Sequence, residues 1–165
     1  MTSILPPIPW FVFTIFEPLT LAAGYIAPTF DTANFVSSQV PSTPLLTSTT
    51  LTATNRVLCL QLGNTYGLIG LIGVGILYFT TDPVMVRNFL LACWVADVGH
   101  LWATCVGMGN DHFVDVGHWN AAAWGNIGVT AFLFVVRTLY LAGAFGKDRV
   151  VENTEKVVKK ITEGN

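Results

Sequence analysis

Residues Val84 to Val106 read VMVRNFLLACWVADVGHLWATCV. The run is long enough to cross a hydrocarbon core, which takes about 20 apolar residues in a helix. Near its centre it carries Trp94-Val95-Ala96-Asp97-Val98-Gly99-His100. A carboxylate at that depth costs several kcal/mol unless it is neutral, paired or wetted. Asp97 and His100 are three residues apart, so a helix puts them on one face.

Three further runs have the same character. They cover about 10–27, with Glu17-Pro18 near the middle; about 57–79, rich in glycine; and about 119–145. None shows the period-two alternation of barrel strands, so the expected fold is an all-α bundle of four transmembrane helices. Composition agrees. Of 165 residues, 52% are hydrophobic and 11% charged, whereas soluble domains run near 25% charged. The net charge of −2 offers no basic face, which argues against nucleic-acid binding. Cys59, Cys93 and Cys105 lie in apolar runs without ligand spacing and read as small buried hydrophobes. No Lys or Arg precedes the first apolar run, so that run reads as a retained helix and not a cleaved signal.

The connections differ in kind. Asp31 to Asn55 is a long loop rich in Ser, Thr and Pro. Thr80-Thr81-Asp82-Pro83 is a tight turn that starts the third helix. Gly107 to His118 is a polar loop with Asp111, His112, Asp115 and His118, whose spacing matches no standard metal site. Residues 147–165 form a polar tail in which Val150, Val151, Thr154, Val157, Val158 and Ile161 recur at helical spacing, as in a short amphipathic surface helix. Arg87, Lys147, Arg149, Lys156, Lys159 and Lys160 fall on one side and Arg56 on the other, which predicts cytosolic termini. The endoplasmic reticulum is the expected membrane.

Depth matching brings the polar residues together. Glu17 and Asp97 fall near the midplane, and Gln61, Asn64, His100 and Asn126 fall in the lumenal half. Arg137 lies toward the cytosol, either snorkelling or paired with Glu17. The pattern predicts a polar-ended cavity in the lumenal half, walled by Tyr66, Trp94, Trp102 and Trp124. An acid there can donate a proton or a hydrogen bond, and His100 can orient Asp97 or shuttle its proton. Candidate catalytic residues are therefore Asp97, His100 and Glu17. Candidate substrate-binding residues are Asn64, Gln61, Asn126, Trp94, Trp124 and Tyr66. With no phosphate loop, dinucleotide fingerprint or metal set, a cofactor-free reaction is expected. The competing structural reading is that Asp97 and His100 hold helices together, since interhelical hydrogen bonds contribute about 0.6–2 kcal/mol in membranes. Likewise Gly63-x-x-x-Gly67 is a helix-packing motif, within the chain or in a homo-oligomer.

Phe16-Glu17-Pro18, Leu60-Gln61-Leu62-Gly63-Asn64, the Trp94–His100 segment and Trp119-Asn120-Ala121-Ala122-Ala123-Trp124-Gly125-Asn126 resemble a family of small fungal integral membrane proteins of unknown function. Acidic residues inside a helix bundle are also similar to small membrane-bound terpenoid cyclases and to four-span sterol isomerases. These resemblances imply a lipophilic, terpenoid or meroterpenoid substrate and a cyclase, pericyclase or isomerase of fungal secondary metabolism. The alternative is a non-catalytic lipid- or sterol-binding or structural membrane protein.

Overall fold

A computed structural model describes residues 3–46 and 50–149. It is all-helical among the described residues. Four helices are long and apolar enough to cross a membrane: α1 (Pro7–Phe30), α3 (Ala53–Phe79), α4 (Pro83–Met108) and α6 (Ala121–Leu141). Two short helices lie between them, α2 (Thr32–Ser38) and α5 (Asn110–Val114). The expected amphipathic helix of the C-terminal tail falls on 150–165, outside the described residues.

Each helix boundary has a local cause. Pro18 lacks an N–H, so the carbonyl of Thr14 loses its helical donor. The chain widens into a π turn over Val12–Phe16, and the Tyr78 hydroxyl donates to the Thr14 carbonyl at 2.9 Å. Asp82 accepts from Val84 N at 2.8 Å, and Pro83 occupies the first turn of α4. The last span stops at Leu141, short of the expected 145. Gly143 turns left-handed with φ 79°, and the Arg87 guanidinium donates to the exposed Leu141 carbonyl at 3.1 Å.

The Asp31–Asn55 connection is not the irregular loop its composition suggests. Asp31 accepts from Asn34 N at 3.0 Å and caps α2. The Ser37 hydroxyl donates to Ala33 O and accepts from Leu46 N, folding the following segment back onto the helix. The Asn120 side chain donates to Ser38 O at 2.9 Å, and that of Asn126 donates to Gln39 Oε1 at 2.9 Å. Helix α2 is thereby tied to the start of α6.

The bundle consists of two helix pairs. Helix α1 lies along α3, and α4 along α6. Glycines permit the first pairing. A Cβ on Gly63 would meet Pro28 at 2.8 Å, one on Gly67 would meet Tyr25 at 3.1 Å, and one on Gly24 would meet Tyr66 at 2.8 Å. Gly63, Gly67 and Gly70 of α3 are therefore covered by α1 of the same chain, Gly73 faces Phe89 of α4, and Gly75 is open. The pairs close on each other at the end carrying the described termini. There Ile4, Leu5 and Phe13 interlock with Leu77, Leu90, Val136 and Tyr140, and Arg149 N donates to Ile4 O. At the opposite end the pairs part, and α2 spans the gap.

Candidate functional site

Near the middle of the bundle three charged side chains meet. The Arg137 guanidinium donates from Nη1 to Asp97 Oδ2 and from Nη2 to Glu17 Oε1. Arg137 is 1% exposed, and Glu17 and Asp97 are each 9% exposed. Its guanidinium also stands 5.3 Å from the Phe13 ring centroid. One cation thus joins α1, α4 and α6. Removing one partner of such a buried network leaves an unpaired charge at a cost of about 3–5 kcal/mol. Arg137 does not snorkel; both carboxylates consume its fork.

Directly above lies a cavity of about 500 Å³. Thr20, Leu21, His100 and Leu133 line it, and each stands three or four positions from a triad residue on its own helix. The triad is therefore the layer beneath the cavity floor. The walls are Gly24 and Ala27 of α1, Tyr66 of α3, and Gly125 and Val129 of α6. The roof is α2, through Asn34, Phe35, Ser38 and Gln39, with Asp31 at the rim. Small residues leave the space open: a Cβ on Gly125 would meet nothing within 4 Å.

Polar groups enter this apolar chamber at one side. His100 of α4 lies beside the Asn126 backbone. Its Nε2 is buried without a hydrogen-bond partner among the described residues. Asn126 sits in a second π turn, Trp124–Val129, of the kind that recurs at functional sites. One Asn126 amide hydrogen is held by Gln39, which itself donates to Phe35 O at 3.0 Å.

The expected residues divide into three groups. His100, Asn126 and Tyr66 line the cavity. Glu17 and Asp97 lie beneath it, bound to Arg137, and Asp97 turns to the guanidinium instead of to His100. The remaining four are elsewhere. Gln61 and Asn64 are exposed, because Gly63, Gly67 and Gly70 take the face of α3 that meets α1. Trp94 stacks on Phe134 at 5.3 Å and donates to Thr138 Oγ1 at 2.8 Å, fastening α4 to α6. Trp124 is 51% exposed and meets Trp119 edge-on at 5.0 Å, as an interfacial anchor does. Thr20, Asn34 and Gln39 line the cavity without having been singled out. Gln39 had a signal in Asp31-x-x-Asn34, a capping pattern that opens a helix inside the supposed loop.

Outside the spans, His118 Nδ1 bonds Asp115 at 2.8 Å on the exposed surface. That hydrogen bond, together with the aspartate charge, raises the His118 pKa above its ordinary value.

No curated protein and no solved structure matches the chain. The family described as a domain of unknown function, DUF7704, matches residues 2–147, nearly all of the described bundle, and the chain belongs to that family.

Proposed function

We propose that this chain is an intramembrane receptor for a lipophilic small molecule, held in the chamber between the two helix pairs. The chamber itself carries the proposal. Its 500 Å³ falls within the range of about 300–1,000 Å³ typical of small-molecule sites, which are mostly apolar with a few convergent polar groups. Terpenoid and sterol-like molecules fit that chemistry. Arg87, Lys147 and Arg149 at the closed end support cytosolic termini, with the chamber in the lumenal half of an endoplasmic reticulum membrane.

One observation favours a catalytic second reading: His100 lines the chamber, and its buried Nε2 has no hydrogen-bond partner among the described residues. In that reading the protein is a cofactor-free isomerase or cyclase of terpenoid secondary metabolism. His100 moves the proton, while Glu17 and Asp97 fix the field beneath it through Arg137. The pairing of both carboxylates puts binding first, since neither is free to act as an acid on the ligand.

The test uses the purified chain in phosphatidylcholine nanodiscs with tritiated isoprenoid and sterol lipids. Saturable retention is expected, together with its loss in Gly125→Phe, which adds bulk at a lining position where a Cβ meets no atom within 4 Å. Equal retention by Gly125→Phe would refute a ligand site there. Mass spectrometry of the same samples separates the readings. A rearranged product that disappears in His100→Gln establishes catalysis; unchanged lipid establishes binding alone.

A further inference from the structure

We infer that the ligand carries an uncharged hydroxyl as its polar end and seats it between His100 and Asn126. The inference rests on the receptor reading above and narrows it to a class of molecule.

The functional groups of the wall supply the reason. Among the described residues, no Lys or Arg lines the chamber. The buried cation Arg137 lies beneath the floor with both carboxylates on it. A carboxylate or phosphate would therefore be desolvated without a counter-charge, which is costly in a low-dielectric site. Asp31, the one charged residue among the described lining, stands at the rim and repels anions further. An ammonium fares no better inside, because the Asp31 carboxylate already caps α2 through Asn34 N and lies at the exposed mouth.

The inner wall is instead neutral and two-sided. Asn126 spends a donor on Gln39 and keeps its amide oxygen as an acceptor. A neutral imidazole offers one donor and one acceptor, and His100 Nε2 has no partner among the described residues. A hydroxyl both donates and accepts, so it can engage His100 and the Asn126 amide together, donating to one and accepting from the other. A ketone or ester can only accept and would leave one of the two unanswered. A pure hydrocarbon would leave both groups unpaired, the situation that lets a site built around a hydroxyl discriminate strongly against its deoxy analogue.

The experiment compares head groups on fixed apolar bodies. Farnesyl and hexadecyl chains, each as alcohol, carboxylate and primary amine, are titrated into the full chain in phosphatidylcholine nanodiscs. Retention is measured over empty nanodiscs and over Gly125→Phe. The alcohol of at least one body is expected to bind at least about tenfold more tightly than its carboxylate and its amine. His100→Phe should reduce alcohol binding by about tenfold while leaving carboxylate and amine retention unchanged. Asn126→Asp replaces the donor to Gln39 Oε1 with a carboxylate and adds a charge, and should move the preference toward the amine. Saturable, chamber-dependent binding in which the carboxylate or amine equals the alcohol overturns the hydroxyl inference and leaves the receptor reading standing. No chamber-dependent retention of any head group on either body overturns both.

Discussion

The two halves of the bundle are made from the same four helices and solve opposite problems. The half carrying the described termini is filled: Phe13, Leu77, Leu90 and Val136 interlock, and Arg137 ties Glu17 to Asp97 at its inner boundary. The other half is held apart. Gly24, Ala27, Ala122 and Gly125 present little volume, and α2 bridges the gap by hydrogen bonds through Gln39 and Ser38. Lipid supplies no hydrophobic drive to close a bundle, so packing and polar contacts decide where helices meet. A rigid clamp at one level is what allows a chamber to persist at the next.

The clamp should break first and hardest. Arg137→Met leaves two buried carboxylates without a cation, and a loss of about 3–5 kcal/mol is expected in detergent unfolding monitored by near-UV circular dichroism. The triple variant Glu17→Gln, Asp97→Asn, Arg137→Met should recover most of that loss, since a neutral replacement of a buried ion network is often tolerated. A triple variant as unstable as Arg137→Met would mean that the charges do more than offset one another.

The α1–α3 seam comes next. Gly63→Leu forces a side chain into Pro28 at a site where a Cβ alone would stand 2.8 Å away. An overpacking cost of about 1–3 kcal/mol is expected by the same melt. Little change would place the seam elsewhere. The roof should yield more gently. Gln39→Ala removes the bond to Asn126, and a loss of about 0.6–2 kcal/mol is expected, in line with polar contacts between membrane helices. Faster amide exchange confined to α2 would identify the bond as the latch; faster exchange throughout α6 would make it a general brace.

The smallest effect lies outside the membrane. His118 is raised by Asp115, so its protonated form is favoured in the folded chain. Any stabilisation is fully present below the unfolded histidine pKa and is lost as pH rises through the folded value. An NMR titration should show the His118 midpoint above an ordinary histidine's, and Asp115→Asn should return it.

Much of this was legible in the sequence. Apolar runs of spanning length marked the four helices, and depth matching brought Glu17, Asp97, His100 and Asn126 near one another. Two things were not legible. Helical phase decides whether a polar residue faces in or out, and the glycines of α3 claim the inner face, leaving Gln61 and Asn64 outside. A Ser- and Thr-rich connection hid a helix, because its few apolar residues become a roof only once Asn120 and Asn126 are in place to hold it. The partner choice of Asp97 was equally hidden. His100 is close in sequence, but Arg137 brings a charge and a fork that fits two carboxylates at once.

The most direct measurement is photocrosslinking with a diazirine-bearing farnesol in nanodiscs, with adducts mapped by peptide mass spectrometry. A chamber ligand predicts adducts on Leu21, Val129 and Leu133, competed away by unlabelled farnesol and lost in Gly125→Phe. Adducts confined to outward residues such as Leu71 and Val95, insensitive to competitor, would show a lipid-facing surface and contradict a ligand site between the helix pairs.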